Sequence, residues 1–191
     1  MAEAKITSGR AHRNGCAAFI KDRRGATAVE FAIVATPFLA LIVALIQTFM
    51  VFFAQSHLEA VVQQASRQIL TGQTQTSTTG DTTAQAQTAF HQTVCSQVAI
   101  LFSCSGLMVD VQVATSWSTA NTSTPTLTYD AQGNVTNVWQ YNPGNAGDIV
   151  VVRVMYLWPV FLGPLGFTLS NQPNGSRLLM ATAAFQNEPA S

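Results

Sequence analysis

The strongest pattern in the chain is an apolar run over residues 26–54, interrupted by Glu30, Gln47 and a few threonines. About 20 apolar residues suffice to cross a bilayer as a helix, whereas the apolar part of a secretory signal peptide is only about 7–15 residues long. The run therefore predicts a retained transmembrane helix. Residues 55–71 continue it as an amphipathic extension, because apolar residues recur on one face at helical spacing: Leu58, Val61, Val62, Ala65 and Ile69.

The pattern beyond this helix predicts one more helix and then strands. A Thr/Gln/Gly-rich stretch at 72–82 reads as a flexible loop, and helical spacing resumes over about 83–102. From Leu107 the period changes to two, and "LMVDVQVATSW" alternates as a strand. "PTLTYDAQGNVTNVWQY" predicts two short strands around a turn at Asp130–Asn134, and "GDIVVVRVMYLWPV" predicts the strongest strand. "SRLLMATAAFQNEP" fits a last strand or a short helix, and its alternation favours the strand.

These elements predict an α+β fold: a long N-terminal transmembrane helix, a second helix, and an antiparallel sheet of about three to five strands. The predicted organisation is a leader at 1–25, a transmembrane helix at 26–54, its extension at 55–71, a loop at 72–82 and a head at 83–191. The two helices are the available cover for the apolar face of the sheet.

The charges are few and lie at one end of the chain. Only 9% of the residues are charged, against roughly 25% in soluble domains. Six of the nine Lys and Arg residues precede Gly25, including Arg23 and Arg24 directly before it. By the positive-inside rule this end is cytoplasmic, and the head lies outside the cytoplasm. No basic patch remains in the head, which argues against binding of DNA or RNA.

Two of the three cysteines fall in the head, on the oxidising side of the membrane. Cys95 and Cys104 could form a disulfide. A straight helix would hold them about 13 Å apart, and a bridge needs Cα atoms within about 7 Å, so a bridge requires the chain to turn back at "SCSG". The alternatives are two unconnected cysteines, or a thiolate–imidazole dyad of Cys95 with His91 four residues earlier.

Glu30 is unusual because it lies near the start of a segment suited to the interior of a bilayer. A charged residue at bilayer depth costs roughly 2.5–3.5 kcal/mol on insertion scales, although less near a helix end, where the side chain can reach the interface. One interpretation is therefore that Glu30 lies at the cytoplasmic face of the membrane and has no specific function. The other follows from its neighbours, since "RRGATAVEF" joins a basic leader, Gly25, small residues and Glu30-Phe31 at the opening of the helix.

This stretch resembles the processing site of type IV prepilins. The resemblance implies cleavage by a prepilin peptidase between Gly25 and Ala26, with Arg23 and Arg24 holding the site at the cytoplasmic face. Glu30 would then be the fifth residue of the mature chain, a counter-ion for the new amino group of Ala26, and Phe31 would follow it in the assembly segment. The helix together with "GDIVVVRVMYLWPV" and "FQNEP" is similar to the TadE-like family, the minor pilins or pseudopilins of the tight-adherence (Flp, type IVc) pilus.

The family resemblance implies a bacterial inner-membrane protein with its head in the periplasm, used in pilus assembly for surface adhesion and possessing no enzymatic activity. Its expected partners are prepilin peptidase, other Tad/Flp pilins, the inner-membrane assembly platform and the lipid bilayer. The alternative is an uncleaved, anchored scaffold or binding module of a secretion system. The residues favour no cofactor and no metal, because zinc spacing and the EF-hand pattern are absent, although Asp130 and Asn134 could touch calcium. Five aromatic residues are expected in the core or at sheet edges rather than on a sugar-binding platform: Trp117, Trp139, Tyr141, Tyr156 and Trp158.

Overall fold

The computed structural model describes residues 25–71, 83–161 and 166–188. Helix α1 spans Ala26–Leu70 and helix α2 spans Thr83–Val98. Three strands follow: β1 at Leu107–Ala114, β2 at Ile149–Pro159 and β3 at Ser176–Gln186. The α+β class predicted from the sequence is confirmed. The chain divides after Val43 into two compact units, which are described separately.

The first unit contributes the exposed, apolar start of α1. Its large apolar side chains face outwards, with Phe31 at 74% and Phe38 at 60% exposure. Within the described residues, α1 is the one helix long and apolar enough to cross a membrane. The helix continues through Pro37, which is compatible with a bilayer helix, where neighbouring groups can satisfy the freed carbonyl.

The second unit is built around the later turns of α1. The helix face predicted from the sequence is confirmed, because Leu58, Val61, Val62, Ala65 and Ile69 are all buried. The carbonyl of Leu70, the last residue of α1, accepts the backbone N–H of Glu188 over 3.1 Å. Thr71 also donates to Arg67, while the predicted loop at 72–82 lies outside the described residues.

Helix α2 is shorter than the predicted 83–102. Its apolar face is as expected, since Ala86, Phe90, Val94 and Val98 are buried. The helix ends at Val98, and the amides of Leu101 and Phe102 both bond to the Val98 carbonyl as the chain turns. A short 3₁₀ turn at Cys104–Gly106 then leads into β1. A helix that continued to 102 could not bring Cys104 back beside Cys95.

The sheet has the order β1-β2-β3 and is antiparallel throughout. Val109 pairs with Val154 across β1 and β2, and Val154 pairs with Ala181 across β2 and β3. Side chains alternate between the two faces of the sheet. One face joins both helices in the main core, contributing Leu107, Val109, Val111, Val150, Val152, Val154, Leu179, Ala181 and Ala183.

The opposite face of the sheet is covered by the long connection between β1 and β2. Leu127 in this connection packs with Met108, Met155 and Leu178, and Trp139 packs against the same group. The connection also covers part of the open edge of β1, where Val111 exchanges backbone bonds with Gln140 and Asn142. Both faces of the sheet are therefore buried, which explains why β2 reads as an almost continuous apolar run.

Two predictions for this connection are wrong. "PTLTYDAQGNVTNVWQY" does not form two strands but a loop held by an isolated bridge between Tyr129 and Val135. Trp117 is neither in the core nor on a strand, because it follows β1 and is 58% exposed. The predicted turn at Asp130–Asn134 is confirmed, and Asp130 organises it by accepting bonds from the backbone amides of Gln132 and Asn134. Side-chain contacts of this kind compete with ladder pairing, which favours a turn over strands.

Candidate functional site

The predicted processing and assembly residues lie at the first turns of α1. Gly25, Ala26, Glu30 and Phe31 are all exposed. Glu30 has no hydrogen-bond or ion-pair partner among the residues that the structure describes. Arg23 and Arg24, the predicted leader charges, lie outside the described residues. The segment thus presents a carboxylate and an aromatic ring on an apolar stretch of helix, and nothing in the described part of the chain covers them.

Gly25 has no steric reason of its own to be glycine. A Cβ atom built there meets nothing within 4 Å, and its backbone is not in the left-handed region that favours glycine. Gly106 differs, because a Cβ there would come within 3.0 Å of the Tyr156 ring. Packing within the described part of the chain explains the glycine at 106 but not the one at 25.

Cys95 and Cys104 form a disulfide, with their Cα atoms 5.4 Å apart. The chain turns back after α2, which is the geometry that a bridge between these positions requires. The sulfur of Cys95 is therefore not available for the dyad with His91. The Nε2 atom of His91 instead lies 3.2 Å from the carbonyl oxygen of Leu107.

A buried ion pair that the sequence interpretation missed lies on the sheet face away from the helices. Asp110 and Arg153 pair across β1 and β2, and they are only 2% and 6% exposed. Arg153 donates from Nε over 3.0 Å and from Nη2, both to Oδ2 of Asp110. Oδ1 accepts the backbone N–H of Gln140 at 3.0 Å. The signal was present, because each strand carries a single charge, of opposite sign, within an apolar run.

The turn at Asp130 satisfies its carboxylate internally. Besides the two amides, Asp130 accepts a bond from the side-chain amide of Asn134 at 2.9 Å. These bonds favour the charged form, and the Asn134 side chain contributes most to the lowered pKa of Asp130. Among the described residues no three His, Cys, Asp or Glu side chains are placed to hold a metal ion.

An apolar groove of about 260 Å³ lies where the end of β2 meets α1 within the second unit. The α1 side is formed by Ile46, Gln47, Met50 and Val51. The other side is formed by Trp158, Pro159, Val160, Phe161 and Leu169. Trp158 packs edge-on against Phe102, with ring centroids 5.7 Å apart. Phe161 is 74% exposed beside the groove. Sequence reasoning placed Trp158 on a strand but could not bring it to α1.

In the described part of the chain, a long apolar helix could span a membrane, and its later turns supply part of the core of a disulfide-linked α+β unit. These features define a class of protein that joins a candidate membrane helix to a sheet domain. The model of the TadE-like protein family matches residues 25–67. The resemblance to that family is therefore confirmed over this segment, which begins at Gly25, and it associates the protein with the Tad pilus. The chain matches no curated protein and no solved structure.

Proposed function

We propose that the protein is a minor pilin, or pseudopilin, of a Flp/Tad type IV pilus that contributes to pilus assembly for surface adhesion. The family match over residues 25–67 carries this proposal, because it begins at the candidate cleavage residue and includes Glu30 and the packed turns of α1. The role is structural rather than catalytic, in keeping with the TadE-like family. The protein resides in the bacterial inner membrane, with its N-terminus in the cytoplasm and its α+β unit in the periplasm.

Prepilin peptidase would cut between Gly25 and Ala26. Support comes from Gly25 itself, because the fold of this chain leaves room for a side chain there. A glycine that the chain's own packing does not require is explained when a partner's active site must approach the backbone closely. Arg23 and Arg24 supply the positive charge that retains the site at the cytoplasmic face.

Cleavage would create an ammonium group on Ala26 beside an apolar helix surface. Glu30 is exposed and has no partner in the described part of the chain. Two charges placed in apolar surroundings are costly unless they are paired. Pairing of one subunit's Glu30 with the Ala26 ammonium of a neighbouring pilin therefore favours one docking register, and Phe31 packs in the same segment.

The exposed apolar surface of α1 would serve two environments in turn. Before assembly it contacts lipid, and after assembly it packs against the helices of other Tad/Flp pilins. Among the described residues of the first unit Glu30 is the only charged side chain. Transfer from the membrane to a pilus through the inner-membrane assembly platform would therefore exchange one apolar contact for another.

Intact mass of the membrane-extracted protein tests the proposal. Native protein from cells with an active peptidase should lack residues 1–25, and the variant Gly25→Leu should retain them. Ala28→Ser, which leaves the glycine in place, is the control and should be cleaved. The processed form should also co-purify with sheared pili. An uncleaved native chain would overturn the minor-pilin assignment and favour an anchored scaffold of a secretion system.

A further inference from the structure

The end of the sheet that carries Trp158 has features of a membrane-facing surface. Among the described residues that line the groove beside it, none is charged. Phe161 is 74% exposed, and Met50 on the opposite wall is 38% exposed. The neighbouring α1 side chains Phe49 and Phe52 are each 66% exposed. These exposed apolar side chains are concentrated at one end of the second unit.

The position of the groove along α1 indicates which environment covers it. About 20 helical residues cross the hydrocarbon of a bilayer. Counted from Ala26, twenty residues end at Leu45, and the groove begins with Ile46. In a chain anchored by this helix, as the proposed function requires, Trp158 and Phe161 lie at the depth where acyl chains give way to headgroups.

The side chains at this level suit that boundary. Tryptophan is enriched at membrane interfaces, where its ring lies in the headgroup region. Arg177 pairs with Trp158 across β2 and β3. Arg177 lines a second groove of about 240 Å³ together with Val51 and Phe52. Long basic side chains at such sites commonly bury the aliphatic stem while the charged group reaches the interface.

The guanidinium of Arg177 retains donors for a lipid. Nη1 donates to the carbonyl of Leu169 at 3.0 Å. The other guanidinium nitrogens have no partner in the parts of the chain that the structure describes. A planar guanidinium with free N–H groups is well suited to a phosphate.

We propose that Trp158, Phe161 and Arg177 form a lipid-contact patch, with the two rings at the acyl boundary and Arg177 donating to a phospholipid phosphate. The inference rests on the proposed membrane anchoring and extends it, because the α+β unit gains its own contact with the leaflet from which α1 emerges. Such a contact would limit tilting of the unit about α1 before assembly. Phospholipid is favoured over a second copy of the chain because the apolar rings and the basic group match the two layers of a leaflet surface.

The full-length protein in phospholipid vesicles provides the test. With Trp117→Phe and Trp139→Phe, Trp158 is the sole tryptophan and can be excited selectively at the red edge of its absorption, where tyrosine no longer absorbs. Lipids brominated on the acyl chain quench tryptophans that contact them. The matched control carries Trp139→Phe and Trp158→Phe, so that Trp117 is its sole tryptophan. Quenching of Trp158 should be at least twofold stronger than quenching of Trp117 in this control. Phe161→Ser should reduce quenching of Trp158 about twofold. Arg177→Gln should also reduce quenching of Trp158, and the reduction should be larger in vesicles that contain anionic lipid.

A reporter in the span separates this inference from the proposed function. Phe38→Trp in a chain without other tryptophans should be quenched strongly if α1 crosses the bilayer. If the tryptophan at position 38 is quenched strongly but Trp158 and Trp117 are quenched equally weakly, the lipid-contact patch alone is overturned. Absence of quenching at Phe38→Trp would overturn both proposals. Emission from Trp158 that depends on protein density but not on bromine would show that a second copy covers the patch, and it would also overturn the proposal.

Discussion

Asp110 and Arg153 face each other across the β1–β2 ladder and form a buried ion pair on the sheet face that the helices do not cover. The pair does more than join two strands. Through Gln140 and the carbonyl of Ser123, it also holds the connection between β1 and β2 against the sheet. That connection supplies Leu127 and Trp139 to the second apolar cluster.

Breaking this pair should strongly destabilise the second unit. Asp110→Asn leaves the Arg153 guanidinium buried without its counter-ion, and loss of one partner of a buried pair costs about 3–5 kcal/mol. The free energy of unfolding, measured by denaturation in detergent and followed by near-UV circular dichroism, should fall by this amount. The control Glu188→Gln changes an exposed carboxylate and should have little effect.

Replacement of both partners checks the physical reason. Asp110→Leu combined with Arg153→Met removes both charges and should recover much of the loss, since hydrophobic replacement of a buried pair is often neutral. Recovery should be incomplete because the Gln140 amide loses its acceptor, which costs about 1–3 kcal/mol. A double variant as unstable as Asp110→Asn would contradict this account of the pair.

The disulfide should contribute to the stability of the same unit. Cys95→Ser with Cys104→Ser removes a bridge across a sequence separation of 9 residues. The expected loss is about 2–3 kcal/mol, because a short loop restricts the unfolded chain only moderately. The native protein should unfold at a lower denaturant concentration when reductant is present, whereas unfolding of the double variant should not change with reductant. A native protein insensitive to reductant would count against a stabilising bridge.

Tyr141 should make stability depend on alkaline pH. Burial raises the pKa of Tyr141 to about 12 from the ordinary 10.0. Because the folded state prefers the neutral phenol, this contribution is fully present below pH 10 and is lost as the pH rises through 12. Unfolding free energies measured from pH 9 to 12 should fall more steeply for the native chain than for Tyr141→Phe.

The same variant tests the environment of the hydroxyl at neutral pH. The Tyr141 hydroxyl is buried without a hydrogen-bond partner among the described residues. Removing an unpaired buried hydroxyl relieves a desolvation cost, so Tyr141→Phe should stabilise the protein by about 1 kcal/mol. The ring contact with Phe90, at 5.7 Å between centroids, is preserved. Destabilisation by more than about 1 kcal/mol would indicate that the hydroxyl has a partner.

Glu30 should matter for assembly more than for processing. Glu30→Ala removes the proposed counter-ion of the Ala26 ammonium but leaves Gly25 in place. We expect normal loss of residues 1–25 by intact mass, together with at least a tenfold drop in the sheared-pilus fraction. Glu59→Ala is the matched control, because Glu59 is an exposed glutamate on the same helix whose Oε1 accepts a bond from Gln55. Normal incorporation of the Glu30→Ala chain would remove the basis for intersubunit pairing.

Periodicity identified the elements that carry a regular apolar pattern. The buried faces of α1 and α2 follow a helical repeat and β1 and β3 follow a two-residue repeat, whereas β2 was predicted from a β-branched apolar run. The structure confirms all five elements. The connection between β1 and β2 has short, weak alternation, and there local bonds of Asp130 decide the conformation. The end of α2 likewise depends on the turn that brings Cys104 to Cys95.

The sequence by itself determined the apolar helix, the lopsided charge and the stretch around Gly25 and Glu30, because these depend on which residues follow one another. Only the tertiary structure decided that Asp110 meets Arg153, that Cys104 reaches Cys95 and that Trp158 and Met50 line the same groove. The partners in these pairs are separated along the chain, and strand register or chain reversal brings them together. Register is set by which faces are buried, and that depends on the packing of the whole unit rather than on any local pattern.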